Sequence, residues 1–280
     1  MREDRKFIPC MWKIGRATRS ARKITHRLAI FLMCITHSVG ASKYRVAKVV
    51  IDAGHGGVDP GALGRFSKEK DIALAVALKL GKLIETHMPG VRSIYTRQSD
   101  EFVPLHERAK ISNQNNADVF ISIHCNAAVA KRQLARGAEV YTMGLNTSAH
   151  NLEVAKRENA AIGMETYTDQ KQYAGVLPDS PESFILLSLQ QNSSNTRSIQ
   201  LAQHIQDQFE KRLKRRNRGV KQAGLMVLWQ TTAPSVLVEI GFITHLQEEQ
   251  YLRSAAGQDH IASGIFRALR DYKKEIEAGS

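Results

Sequence analysis

Three short runs of apolar, largely β-branched residues constrain this chain more than any other feature: Arg45–Ile51, Asp118–Ile123 and Val236–Val238. Runs of this length and composition suit strands buried on both faces, as the central strands of a parallel sheet are. Between the first two lies a stretch with helical spacing, from Glu69 to about Thr86. Its apolar face is Ile72, Ala75, Val76, the stem of Lys79, Leu80 and Leu83. Val91–Thr96 reads as a strand, Pro104–Asn116 as a helix opened by proline, and Gly137–Thr142 as a further strand. Ala223–Trp229 and Ser235–Glu239 are strand-like, and Ile261–Tyr272 is a closing helix. The order β-α-β-α-β-β predicts an α/β fold: a single domain, with a mostly parallel twisted sheet and helices on both faces. Residues 145–195 interrupt the pattern. They hold a helix-like piece, Ser148–Glu165, and a polar stretch, Thr166–Ser183, before helical spacing resumes over Ser183–Phe209. A helical insertion is expected there.

The strand-like runs lead to ionisable residues. Asp52-Ala53-Gly54-His55 follows the first run, His124 follows the second, and Glu239 ends the third. In such sheets ligands collect at the carboxyl ends of the strands. A carboxylate closing a buried strand is costly unless it is paired, metal-bound or catalytic. Glu69 opens the first helix, and the loop before it carries glycines at 54, 56, 57, 61 and 64. That loop lacks the Gly-Lys-Ser/Thr ending of a nucleotide-binding loop, so its glycines are read as letting the backbone turn and bring His55 and Glu69 together. Two imidazoles and a carboxylate can hold Zn²⁺ with one position left open for water, and a further carboxylate can act as general base. Cys125, next to His124, points to the opposite face of a strand and reads as a small core residue, while Asn126 shares the side of His124.

These segments resemble a known family. Asp52-Ala53-Gly54-His55-Gly56-Gly57, Glu69-Lys70-Asp71, Thr96-Arg97 with Asp100, Leu105 and Arg108, Ser122-Ile123-His124-Cys125-Asn126-Ala127, and Pro234-Ser235-Val236-Leu237-Val238-Glu239-Ile240-Gly241-Phe242 look like the zinc-dependent N-acetylmuramoyl-L-alanine amidases of bacterial cell walls. The resemblance covers about residues 46–275, the expected catalytic domain. It implies one zinc ion held by His55, Glu69 and His124, with Glu239 as the catalytic glutamate. It implies hydrolysis of the amide between N-acetylmuramic acid and L-alanine in peptidoglycan, for wall remodelling or daughter-cell separation. Arg97 and Asn126 become candidates for substrate contact or support of the ligands.

Division-associated members carry an insertion that lays a helix over the active site with a glutamate on the zinc. Residues 145–195 stand in the matching place, and Arg157-Glu158-Asn159-Ala160 resembles the blocking segment. Glu158 is thus either an inhibitory metal contact or an ordinary exposed helical glutamate. If it blocks, an activator protein must displace the helix. The residues also leave open a zinc peptidase acting on wall peptides and a non-catalytic wall-binding protein.

The formal charge of +13 first suggests a nucleic-acid partner. Residues 1–41, however, hold nine Lys/Arg against two Asp/Glu and so carry +7 of it. This segment has a basic stretch from Arg2 to Arg27, the short apolar core Leu28–Thr36, and small residues at Val39-Gly40-Ala41. It reads as a signal peptide or N-terminal anchor, since the core falls short of the about 20 residues a bilayer-spanning helix needs. No nucleic-acid partner is expected. The protein is expected to be exported to the periplasm or cell envelope and to be a monomer. Beyond Cys10 and Cys34 in this segment, only Cys125 remains, so the mature chain has no internal disulfide. The basic run over residues 211–221 reads as a solvated helix end and loop, with contact to an acidic polymer as the alternative.

Overall fold

The run after Tyr44 becomes strand β1 (Lys48–Ala53), whose residues alternate between two apolar layers. Val49 and Ile51 face one layer and Val50 the other. In the computed structural model the described residues are 44–128, 134–145, 148–173 and 192–279. The expected signal or anchor, with Cys10 and Cys34, lies outside them, as does the stretch 174–191 of the expected insertion.

Five further strands complete one sheet: β2 (Arg92–Tyr95), β3 (Val119–Asn126), β4 (Ala138–Met143), β5 (Asn217–Ala223) and β6 (Ser235–Phe242). Their order is β2-β1-β3-β6-β4-β5. All neighbours run parallel except β4 and β6, which are antiparallel. The sheet is therefore mostly parallel, as the apolar runs require.

One face is covered by α1 (Glu69–His87), α5 (Asn192–Lys211) and α8 (Ala255–Ala278). Ile72, Val76 and Leu80 of α1, Leu201 and Ile205 of α5, and Ile265 and Leu269 of α8 pack there on Ile51, Ile121, Ile123 and Val238. Each isoleucine or leucine buried in this way contributes about 1.5–3 kcal/mol. The other face carries α2 (Leu105–Gln114), α3 (Ala149–Asn159) and the short α6 (Met226–Trp229) over Val50, Phe120, Tyr141 and Leu237. After α3 come a 3₁₀ turn (Ala160–Met164), the short α4 (Tyr167–Gln170) and a second 3₁₀ turn (Lys171–Tyr173). Residues 148–173 of the insertion are thus largely helical and lie on this second face.

Some local expectations change. Ala223–Trp229 is not a strand: β5 ends at Ala223, and Met226–Trp229 turns into a helix. Met226, Val227 and Leu228 are all buried, and so short an apolar run suits either state. Its backbone is set by the insertion, where Asn159 Oδ1 accepts the Met226 N–H at 2.9 Å. The basic run over 211–221 begins as an exposed helix end and loop, with Lys211, Arg212, Lys214 and Arg216 exposed, but it then leads into edge strand β5, and three of its cations are used internally. Arg215 pairs with Glu248 at 2.9 Å, and Arg218 and Lys221 pair with Glu139 at 2.6 and 2.7 Å. Strand β3 runs on through His124 to Asn126, placing His124 within the sheet. A helix that periodicity did not announce, α7 (Leu246–Arg253), follows β6.

Candidate metal centre

His55 stands just past β1 with a left-handed φ of 61°. Two buried guanidiniums hold its backbone. Arg108 donates to His55 O at 2.8 Å and pairs with Asp52, while Arg97 donates to Ala53 O, Gly54 O and Lys70 O. Arg97 therefore braces the loop through backbone carbonyls. The His55 Nδ1–H donates to Asp59 Oδ2 at 2.7 Å, which leaves Nε2 as the free ring atom. Gly54 is required beside it, since a Cβ there would lie 2.4 Å from His124 Nε2.

Glu69 is the first residue of α1, where a carboxylate also complements the helix dipole. Its Oε2 accepts from Ala62 N at 2.8 Å and its Oε1 from Cys125 N at 2.7 Å. Cys125 itself packs in the core of the opposite face, as strand alternation requires. His124 projects from β3 with Nδ1 toward Glu69.

The last turn of α3 completes the group. His55 Nε2 lies 3.1 Å from Glu69 Oε1 and 3.4 Å from Glu158 Oε2. His124 Nδ1 lies 3.1 Å from Glu69 Oε1 and 2.8 Å from Glu158 Oε2. Yet His55 Nε2, His124 Nδ1 and Glu158 Oε2 are buried without a hydrogen-bond partner among the described residues. Close approach without hydrogen-bond alignment is what donors aimed at one common point produce. Four N/O donors on a tetrahedral zinc at about 2.0–2.1 Å would be spaced about 3.3 Å apart. The residues thus fit a divalent metal in donor type, count and spacing. Burial alone would lower the His124 pKa, but the Glu158 and Glu69 carboxylates push it up to about 9. Burial likewise opposes the ionisation of Glu69, but the two imidazoles bring it down to about 2. The group is built to concentrate positive charge.

Glu239 lies beside it, in register with His124 of β3 on one side and Glu139 of β4 on the other. It is fully buried, and burial pushes its carboxyl up to about 8 against the opposing charge of Arg157. Its Oε1 accepts from Arg157 Nη2 at 3.0 Å, and its Oε2 has no partner among the described residues. Arg157 also donates through Nε to Glu158 Oε1 at 2.9 Å and through Nη1 to Ala127 O at 3.2 Å.

Glu139 is a second buried carboxylate. It accepts from Asn126 Nδ2, Tyr141 Oη, His150, Arg218 and Lys221. Asn126 is thereby held on Glu139 through its Nδ2. Burial would raise the Glu139 pKa, but His150, Arg218 and Lys221 hold it well below the ordinary carboxylate range. A depressed carboxyl stabilises the fold above its ordinary pKa of 4.5, and that contribution fades as pH falls through the folded value. Glu139→Gln should therefore lower stability by about 2–3 kcal/mol at neutral pH. Denaturation curves should show the gap shrinking below pH 4.5, and a gap independent of pH would contradict the charge argument.

His55, Glu69, His124 and Glu158 thus come together, with Glu239 linked to them through Arg157. Sequence reasoning did not single out Asp59, Arg157 or Glu139. A signal existed for two of them: Asp59 is four residues after His55, and Glu139 interrupts a buried strand.

A family model described as N-acetylmuramoyl-L-alanine amidase (Amidase_3) matches residues 49–271. The N-acetylmuramoyl-L-alanine amidase AmiA of Escherichia coli (strain K12) is 34% identical over 229 residues, spanning 80% of this chain and 75% of that protein. Among solved structures, the amidase AmiC2 of Nostoc punctiforme superposes with a TM-score of 0.58 at 28% identity, over 81% of this chain and 97% of its own. The CwlD amidase of Clostridioides difficile, solved in complex with the GerS lipoprotein, gives 0.59 at 26% identity, over 82% of this chain and 99% of its own. With the sheet topology and the buried His/Glu group, these likenesses establish that the chain belongs to the N-acetylmuramoyl-L-alanine amidase family, hydrolases of the amide bonds of peptidoglycan.

Proposed function

We propose that residues 46–275 form a zinc-dependent catalytic unit in which His55, Glu69 and His124 hold the metal and Glu239 is the general base. The convergence of unpartnered His55 Nε2, His124 Nδ1 and Glu158 Oε2 carries this reading. Zinc, when bound, supplies Lewis-acid chemistry toward the scissile carbonyl and the attacking water. Asp59 holds the His55 ring so that Nε2 faces the metal. Glu239 takes the proton of the attacking water at its free Oε2 and returns it to the leaving nitrogen. The sheet supports all of these groups from strand ends and one helix start, which keeps them rigid.

In this reading Glu158 takes the remaining donor position and holds the enzyme self-inhibited, a role supported by its approach to both imidazoles. Both Glu158 and Glu239 are almost fully covered. Hydrolysis then needs α3 to withdraw, and a partner protein is the agent we expect. The CwlD complex with a lipoprotein shows that one relative has a protein partner. Peptidoglycan lies outside the cytoplasmic membrane, and the basic and apolar segment over residues 1–41 suits export to the periplasm or cell envelope. No helix among the described residues is long and apolar enough to cross a membrane.

Digestion of purified sacculi tests the reading. Stem peptides beginning with L-alanine should be released, lost with chelator and regained with Zn²⁺. His124→Ala should cut bound zinc from about one ion per chain to a small fraction and lower the unfolding midpoint, because metal binding stabilises the folded state by mass action. Undiminished metal content would remove His124 from the ligand set.

A further inference from the structure

Two adjacent residues of α3 enter the site with opposite charge, and each meets a different group. Glu158 brings a carboxylate oxygen to 2.8 Å from His124 Nδ1 and 3.4 Å from His55 Nε2. Arg157 brings cationic N–H groups to Glu239 Oε1 at 3.0 Å and Ala127 O at 3.2 Å. The Ala127 carbonyl is held from both sides: Ile243 N donates to Asn126 O at 2.8 Å and Ala128 N to Thr244 Oγ1 at 3.0 Å.

Hydrolysis of the muramoyl–alanine amide bonds the water oxygen to the lactyl carbon, breaks the C–N bond and moves protons to the nitrogen. The products are a lactyl carboxylate and, at neutral pH, an alanyl ammonium. That is the same pair of charges that α3 presents. We propose that the position of the Arg157 guanidinium, between Glu239 and the Ala127 carbonyl, is the subsite for the leaving L-alanine amine, and that Arg157 and Glu158 together occupy the site as a mimic of the two products. The inference rests on the reading of Glu158 at the metal and Glu239 as base.

The chemistry of the subsite favours this occupant. A carboxylate and a rigid carbonyl are both acceptors, so they suit an N–H donor and repel a carboxylate. The proton that Glu239 returns is needed at this point. The orientation of substrate follows: the lactyl side toward His55 and His124, and the peptide side toward Ala127.

The test is binding of L-alaninamide to the full-length protein, read by ligand-observed NMR and by the shift in unfolding midpoint. Arg157→Ala removes about as many side-chain atoms as L-alaninamide contains, and alanine keeps the helix favourable. This variant should bind L-alaninamide at least about tenfold more tightly than wild type, the difference a single charge-assisted hydrogen bond can make. N-acetyl-L-alaninamide, which lacks the charge, should show no such gain. Arg157→Ala/Glu158→Ala, which also removes the carboxylate stranded by the first change, should behave alike if the single variant folds poorly. Equal affinity in wild type and both variants, or indifference to N-acetylation, would overturn the subsite. Failure of the blocked-site reading looks different: Glu158→Ala would leave hydrolysis unchanged while Arg157→Ala still took up L-alaninamide.

Discussion

Glu239→Gln, made in the Glu158→Ala protein so that α3 does not mask the effect, should lower kcat by a factor of about 10²–10⁴, the usual contribution of a general base. Zinc content and KM should stay near those of the parent, since Glu239 is outside the four-donor group and its amide keeps the shape of the site. The physical case has three parts. Register with His124 fixes the carboxylate at the level of the His/Glu group. Oε2 has no partner among the described residues and can reach a water. Burial raises the carboxyl above its ordinary value of 4.5, the direction a group that must both take and return a proton near neutral pH requires. The acidic limb of the rate profile should disappear with the base. A variant within about threefold of its parent, with zinc bound, would remove Glu239 from the base role that typically contributes 10²-fold or more.

Why some of this was legible in the sequence and some was not has physical reasons. The sheet was legible because Val49–Ile51, Phe120–Ile123 and Val236–Val238 are buried on both faces and so read as unbroken apolar runs. His55, His124 and Glu239 stood out because ionisable groups are costly where those runs end. Glu139 sits equally deep, but its cations Arg218 and Lys221 come from 79 and 82 positions away. A basic run read locally looks like a solvated surface, and only the antiparallel placement of β4 against β6, with β5 at its edge, turns it inward. The helix Met226–Trp229 was missed because its start depends on Asn159, a residue of the insertion. Arg157 was missed for a related reason. A helical arginine is ordinarily solvent-facing, and its pairing with Glu239 spans 82 residues.

Glu158→Ala should raise hydrolysis of sacculi by purified, zinc-loaded protein by about one to two orders of magnitude. The logic is a population shift: each 1.4 kcal/mol removed from the docking of α3 changes the open fraction about tenfold while the closed form dominates. The contacts removed are those of a buried carboxylate with His55 and His124, and loss of one buried charge partner is strongly unfavourable to the closed state. The rise should nonetheless be partial. His150 still pairs with Glu139, Asn159 still bonds Gly224 O and Met226 N, and Glu165 still accepts from Leu105 N, so the segment stays fastened along its length. Arg157 still neutralises the base. Arg157→Ala added to Glu158→Ala should therefore raise the rate again, which a block at the metal alone would not give. Glu158→Gln separates charge from bulk: it keeps the side chain's size but is a far weaker metal donor, so an activity close to that of Glu158→Ala assigns the block to the carboxylate. Zinc-loaded Glu158→Ala with unchanged basal activity would mean that α3 does not restrain the enzyme.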